Sequence, residues 1–342
     1  MRAFGISVAA ALTALSLGAA YAEEPAPLRI GWVVVPSDLA PVMLAKPGLA
    51  PHAGKSYAPQ LVHFSGTSTI VTALAAGELD MAAIAYSTLA IAIENAGLTD
   101  IRVIADSFMD GVSGYHTNDY MVRNDSQIET IEGLKGKVLA ANEAGSAIDM
   151  ALRANLAKHD MRDKRDVTIV EVPFPQMKAT LMEGKVDLVA AASPFDYDPE
   201  LRSFAHTLFT QKDGMGPTEM IMRVVRGAYI REHRPALVDF MEDYLGTLHS
   251  VYEPQHREDG VAIVADMTKR QPDFYEKWLF TKDDYYRDPN ARPNLDVLQA
   301  NIETQRELGF LKSDIDVKKY ADLSIVEDAG KRLAALAPAA AN

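Results

Sequence analysis

Six short stretches place hydroxyl, amide or glycine residues directly after apolar runs. They are Pro36-Ser37-Asp38, Ser65-Gly66-Thr67, Tyr86-Ser87-Thr88, the segment Asn142 to Ala147 with Ser146 inside it, Phe174-Pro175-Gln176 and Ser193-Pro194-Phe195. Neutral donors and acceptors of this kind hold a small molecule by hydrogen bonds and do not make an activated nucleophile. Sharper chemistry is missing from the sequence. The eight histidines show no H-E-x-x-H spacing, and there is no G-x-S-x-G elbow or glycine-rich phosphate loop. The chain has no cysteine, which removes thiol catalysis, disulfides and zinc-thiolate sites. Asp196-Tyr197-Asp198-Pro199-Glu200 superficially resembles a calcium loop. It lacks the glycine and the full ligand series and reads as a surface turn. No catalytic residue, metal or cofactor is expected.

Each stretch also has a plain structural use. Serine, threonine and aspartate at a helix start accept hydrogen bonds from its free N–H groups, so Ser37, Ser65, Thr67, Ser87, Thr88, Ser146 and Ser193 serve as caps whether or not they touch a ligand. Asp38, Glu143 and Asp196 would cap helices or neutralise a basic ligand. The only nearby cation is Lys178, so a strongly charged dianion is not expected. Helix N-termini can hold a monoanion unaided. Phe174, Tyr86 and Phe195 could stack on a ring or simply pack in a hinge or core.

The elements that must position these stretches alternate in type. Leu28 to Val35, Gln60 to Phe64 and Asp80 to Ala85 read as buried strands, with helices from about Leu39 to Ala45 and after Ser68. Further strands fall at Asp119 to Arg123, Gly136 to Ala141, Val167 to Val172, Leu188 to Ala192 and Glu219 to Val225, with a helix from Ile148 to Leu156. Strand–helix alternation predicts a mostly parallel α/β sheet. After Val225 the chain turns helical; Pro235 suits a helix start, and Leu237, Phe240, Met241, Tyr244, Leu245 and Leu248 form one core-facing stripe. In open sheets of this type ligands bind beyond the carboxyl ends of the strands, which is where the six stretches lie.

An internal echo divides the chain in two. Ala73 to Asp80 and Thr180 to Asp187 share one pattern: a helix end, a glycine cap (Gly77, Gly184), a charged residue, and an aspartate leading into an apolar strand. Two copies predict two similar lobes.

The chain begins Met1-Arg2, runs apolar to Ala20 and reaches Ala20-Tyr21-Ala22 before Glu23. This pattern predicts a signal peptide over residues 1–22, cleaved after Ala22. Without a cysteine at that point no lipid anchor is expected. The net charge of −13 argues against a nucleic-acid partner.

Beyond these patterns, several segments resemble the sulfonate/taurine/nitrate-type solute-binding proteins of ABC transporters, also called NMT1/THI5-like. They are Pro41 to Gly48 with Gly54-Lys55-Ser56-Tyr57, Phe64 to Thr69, Ala73 to Ser87, Val122 to Ile128 with Gly133-Leu134-Lys135-Gly136-Lys137, and Glu307 to Leu311 with Tyr320-Ala321-Asp322. The resemblance implies a two-lobe periplasmic binding protein fold (type II) with two crossovers, near Gly114 to Asn118 and Met222 to Gly227. Lobe I would hold residues 23–117 and 224–342, and lobe II residues 118–223. It implies a monomeric, non-enzymatic periplasmic protein that closes on a small organic solute and delivers it to a permease in the inner membrane. A monoanionic sulfonate, a carboxylate and an aromatic acid are the candidate solutes. The alternatives are the ligand-binding subunit of a periplasmic sensor, or an enzyme resembling the THI5-type pyrimidine synthases, whose cysteine-rich segment this chain lacks.

Overall fold

Leu28, Ile30, Met81 and Ile84 are fully buried, because strands covered by helices on both faces need apolar side chains on both. The structure, a computed structural model, describes residues 24–336. The expected signal peptide over residues 1–22 lies outside the described residues. Among these, no helix is long and apolar enough to cross a membrane.

Ten strands are present among the described residues: β1 (Ala26–Trp32), β2 (Tyr57–His63), β3 (Met81–Ala85), β4 (Ile101–Asp110), β5 (Asn118–Arg123), β6 (Val138–Ala141), β7 (Thr168–Glu171), β8 (Leu188–Ala192), β9 (Ala205–Thr210) and β10 (Thr218–Arg226). They form two five-stranded sheets, ordered β2-β1-β3-β10-β4 and β7-β6-β8-β5-β9. In the first, β1 is parallel to β2 and β3, while β10 is antiparallel to β3 and β4. In the second, β6 is parallel to β7 and β8, while β5 is antiparallel to β8 and β9. Each sheet is thus mostly parallel with one reversed strand. The reversed strand is the one entered straight from the other sheet, so it starts at the shared side and runs away from it.

The sheets place one expected boundary differently. The second crossover was expected near Met222 to Gly227, but β10 already begins at Thr218 and pairs with β3 and β4 up to Arg226. Residues 218–223 therefore belong to the first sheet. The chain crosses at Gly216-Pro217, where Gly216 takes a positive φ of 70° and Asn301 Nδ2 donates to the Pro217 carbonyl at 2.9 Å.

The internal echo is a repeated joint. Gly77 and Gly184 end their helices with positive φ, and the next residues close matching backbone bonds, Glu78 N to Ala73 O and Lys185 N to Thr180 O. Asp80 Oδ2 then accepts from the Arg29 backbone N–H at 2.9 Å. Asp187 Oδ2 accepts from the Val138 backbone N–H, also at 2.9 Å. In both lobes the aspartate pins the start of one central strand to the next.

The C-terminal stripe packs as its spacing predicts: Leu237, Phe240, Met241, Tyr244, Leu245 and Leu248 are all buried. They lie on the helix Gly227–Tyr252, which bends at His233 (φ −131°) just before Pro235, since a proline cannot continue the ladder behind it.

Candidate functional site

Four helices start where β2, β3, β6 and β7 end: Thr67–Ala75, Tyr86–Glu94, Ala147–Lys158 and Phe174–Met182. Gly66 and Thr67, Ala85, Ser146 to Ile148, and Phe174 from these four starts line a cavity of about 80 Å³ between the two sheets. Its polar lining is Ser37, Thr67, Thr117, Asn118, Asn142, Ser146 and Ser193; Val33, Val34, Phe108, Met220, Ile221 and Tyr285 supply apolar walls. No charged side chain lines it among the described residues. Unpaired N–H groups at helix N-termini carry partial positive charge, so this space suits a small neutral or singly negative group.

Local bonds orient the polar lining. Ser146 caps its helix by accepting from Asp149 N at 3.2 Å and donates to Asn142 Oδ1 at 2.8 Å. Asn142 Nδ2 has no partner among the described residues. Ser37 donates to Val34 O at 2.8 Å, and Ser193 to Thr117 O at 3.2 Å. Thr117 itself is held by Asp110, which accepts from its N–H at 2.6 Å and its hydroxyl at 2.9 Å. Burial pushes the Asp110 carboxyl up to about 6 despite these bonds.

Towards solvent the cavity continues into an apolar cleft of about 520 Å³ that includes Trp32, Phe64, Ser65, Phe174, Phe195, Arg270 and Tyr275. Phe174 lines both spaces and stacks on Phe195, ring centroids 5.8 Å apart. Arg270 lies over Phe195 at 5.8 Å and over Phe274 at 4.3 Å. A larger groove of about 690 Å³ runs past the first crossover, and charged side chains such as Arg202, Lys277, Lys282 and Asp283 dominate it. It has no set of helix starts comparable to the first cavity.

The lobes meet around the cavity through direct bonds. Glu143 Oε2 accepts from Ser68 N at 3.3 Å, Ser68 Oγ donates to Ala144 O at 3.1 Å, and Tyr285 donates to Ser193 O at 2.8 Å. Glu143 therefore places a carboxylate on the first turn of the opposite lobe's helix Thr67–Ala75. Desolvation raises its pKa.

Of the residues singled out from sequence, Ser37, Gly66, Thr67, Asn142, Ser146, Phe174 and Ser193 line the cavity, and Ser65 and Phe195 line the outer cleft. The other five do not reach either space. Asp38 is buried and ion-pairs with Arg223 Nη2 at 2.5 Å, so it neutralises a core arginine instead of a ligand. Tyr86 and Ser87 are fully buried. The Tyr86 hydroxyl meets the other lobe at Ala147 O, 3.4 Å away. Thr88 is spent on capping its own helix, donating to Ala85 O at 3.0 Å and accepting from Ala85 N at 3.1 Å. Gln176 is exposed, because two residues, about half a turn, beyond Phe174 the side chain points to the opposite face of the helix.

Lys178 pairs with Asp198 at 2.9 Å and Glu200 at 2.6 Å. Asp198 caps the helix Pro199–Phe204, but Asp196 is buried, not part of a surface turn, and burial pushes its carboxyl up to about 8. Sequence reasoning missed Thr117, Asn118, Met220 and Tyr285. Thr117 and Asn118 lie in the first crossover, which the sequence located without marking them as lining, and Met220 lies just after the second crossover, which was expected later in the chain. Tyr285 and Arg270 come from the helical C-terminal region and carried no signal.

The family model described as the NMT1-like family matches residues 21–265. No curated protein matches the chain. Among solved structures, the chain is similar to the alkanesulfonate-binding protein SsuA from Xanthomonas axonopodis pv. citri bound to MOPS, with 18% identity, a TM-score of 0.67, and 87% of this chain and 99% of that one covered. It is similar to the periplasmic nitrate-binding protein NrtA from Synechocystis PCC 6803, with 15% identity, a TM-score of 0.72, and 91% and 89% covered. It is also similar to the desulfurization enzyme DSZB, with 13% identity, a TM-score of 0.60, and 90% and 99% covered. At these identities the likeness is one of fold.

Proposed function

The chain belongs to the NMT1-like family, and on that premise we propose that it is the periplasmic solute-binding component of an ABC importer. It captures a small organic monoanion between its lobes and hands it to an inner-membrane permease. The observation that carries this reading is the cavity itself: both lobes wall it, four helix starts border it, and no charged side chain lines it among the described residues. A singly charged head group fits there, balanced by helix N–H groups. A dianion would add charge beside the Glu143 carboxylate, which already occupies one helix start. The aromatic outer cleft, with Arg270 at its wall, suits an apolar or aromatic body behind that head. The structural neighbours include sulfonate- and nitrate-binding proteins, which supports a monoanion class. Capture would stabilise the closed state through contacts that the open one lacks.

An enzyme on this fold is the competing reading, since DSZB shares it; its complex with biphenyl-2-sulfinic acid was obtained with a cysteine-to-serine mutant. This chain has no cysteine to offer a thiol. The proposed protein acts as an exported monomer cleaved near Glu23, and mass spectrometry of a periplasmic fraction would show the cleaved mass.

The test is a thermal-shift screen of the purified chain against alkyl and aryl sulfonates, carboxylates and nitrate, followed by calorimetry. Ligand at about 100 times Kd adds roughly 2.7 kcal/mol to the native state. Recovery of the solute unchanged supports the binding role. Conversion of the solute, or binding confined to cations, would overturn it.

A further inference from the structure

At the far end of the first lobe, His52 lies beside two acids from the helix Gly227–Tyr252. A ring nitrogen of His52 and carboxylate oxygens of Asp239 and Glu242 all lie within 4.8 Å of one another. We infer that these three residues form a binding site for one divalent transition-metal ion of the zinc class, separate from the solute cleft. The separation follows from β2: its first residue, Tyr57, touches the cluster's support, while its seventh, His63, lines the outer cleft. A seven-residue strand spans about 20 Å.

The histidine is held as a metal ligand needs to be held. Asp243 Oδ1 lies 2.6 Å from His52 Nδ1, and Asp243 Oδ2 accepts from the His52 backbone N–H at 3.1 Å and from the Tyr57 hydroxyl at 2.7 Å. A carboxylate can only accept, so Nδ1 carries a proton, and in the neutral imidazole that a metal binds Nε2 is the nitrogen with the lone pair. This carboxylate–histidine relay orients and strengthens a metal-bound imidazole.

Glu242 independently points to a ligand. Its residue is only 8% exposed, yet its carboxylate makes no hydrogen bond among the described residues. The nearest cation, Arg332 Nη1, is 3.9 Å away. The carboxylate is thus held only by one long ion pair, and a cation between it and His52 would bind it more closely. Asp239 faces the same space and is bonded by Arg332 Nη1 at 2.7 Å. That guanidinium is half exposed and free to swing out when an ion takes its place.

One neutral nitrogen and two carboxylates balance a divalent charge and match the donor set of zinc, with water completing the shell. Ligand atoms around zinc stand about 3.3 Å apart at usual bond lengths, so binding draws the loop at His52 onto the helix. The nitrogen donor separates this site from one built for magnesium or calcium, which prefer oxygen alone.

Calorimetric titration of the purified, tag-free chain with zinc chloride tests the assignment. One zinc per chain is expected, with magnesium failing to compete. His52→Ala should weaken zinc binding at least a hundredfold and Glu242→Gln at least tenfold, while Arg332→Ala, which removes the competing cation, should tighten it several-fold. Circular dichroism checks that each variant is folded, and the exposed Arg332 keeps the test open should the others fold poorly. No saturable zinc uptake by the parent, or an affinity that none of the three changes alters, overturns the site.

Discussion

The Glu143 carboxylate and Gly66 face each other across the cleft so closely that a Cβ built on Gly66 would lie 1.8 Å from Glu143 Oε2. Gly66 has φ −166°, an extended conformation that any residue adopts, so the demand for glycine comes from the opposite lobe alone. Gly66→Ala should therefore leave each lobe folded, push the Glu143 carboxylate aside and weaken solute binding a few-fold. Glu143→Ala in the same chain should restore much of the loss. Calorimetry on the two single variants and the double variant measures this coupling. An equal loss in Gly66→Ala with and without Glu143 would show that the close approach does not matter.

Asn142 reports the charge of the solute. Asn142→Ala should weaken binding by roughly 0.5–1.5 kcal/mol if it bonds a neutral group, or by about 1.5–3 if the group is charged. Asn142→Asp keeps the shape and adds a negative charge to an uncharged lining. It should abolish binding of a monoanion at pH 7, and unchanged affinity in that variant would refute the monoanion assignment.

Two serines at neighbouring helix starts should behave differently. Ser87 is fully buried and its hydroxyl has no hydrogen-bond partner, so Ser87→Ala should leave solute affinity unchanged and stability nearly so. Ser146 caps a helix and lines the cavity. Ser146→Ala should cost about 1 kcal/mol of stability through the lost cap and weaken binding as well. Urea unfolding and calorimetry on both variants separate the two roles; weaker binding in Ser87→Ala would return that residue to the site.

The Asp38–Arg223 pair is structural. Arg223 is fully buried, and its guanidinium also lies over the Tyr244 ring at 4.8 Å. Removing one partner strands the other charge in the core, so Asp38→Ala should cost about 3–5 kcal/mol in urea unfolding. A loss below 1 kcal/mol would contradict that role.

Stability should fall as pH rises towards 8. Burial lifts the Asp110 carboxyl to about 6 and the Asp196 carboxyl to about 8, against an ordinary value of about 3.9. Burial raises the neighbouring Asp106 and Glu219 in the same direction. Between the ordinary and the raised values the folded chain holds more protons than the unfolded one, so stability drops as pH rises through this range. Melting curves from pH 5 to 8 should show the decline, and Asp196→Asn should flatten part of it between pH 6 and 8. Curves that rise over this range would contradict the burial argument.

Much of the architecture was legible because it rests on short-range rules. The apolar run from Leu188 to Ala192 coincides with β8, and the glycine-capped helix ends at Gly77 and Gly184 are the same joint in both sheets. The second crossover was placed too late, because an apolar strand such as Thr218 to Arg226 carries no local mark of the sheet it joins. The capping use of Asp38 was legible, since its Oδ1 accepts from Ala40 N at 2.9 Å, but its ion pair was not, because Arg223 is 185 residues away in the chain and no spacing rule reaches that far.

From the order of residues alone one could read two α/β lobes and a set of neutral loops at their strand ends. Those follow from periodicity, glycine caps and runs of neutral polar residues, all expressed within a few residues. Which side chains face the cavity was decided in three dimensions, where about half a turn of helix separates an inward Phe174 from an exposed Gln176. So was the pairing of His52 with Asp243, which are 191 residues apart. Backbone conformation is set mainly by neighbours in sequence, whereas the orientation and charge environment of a side chain are set by whatever packing brings against it.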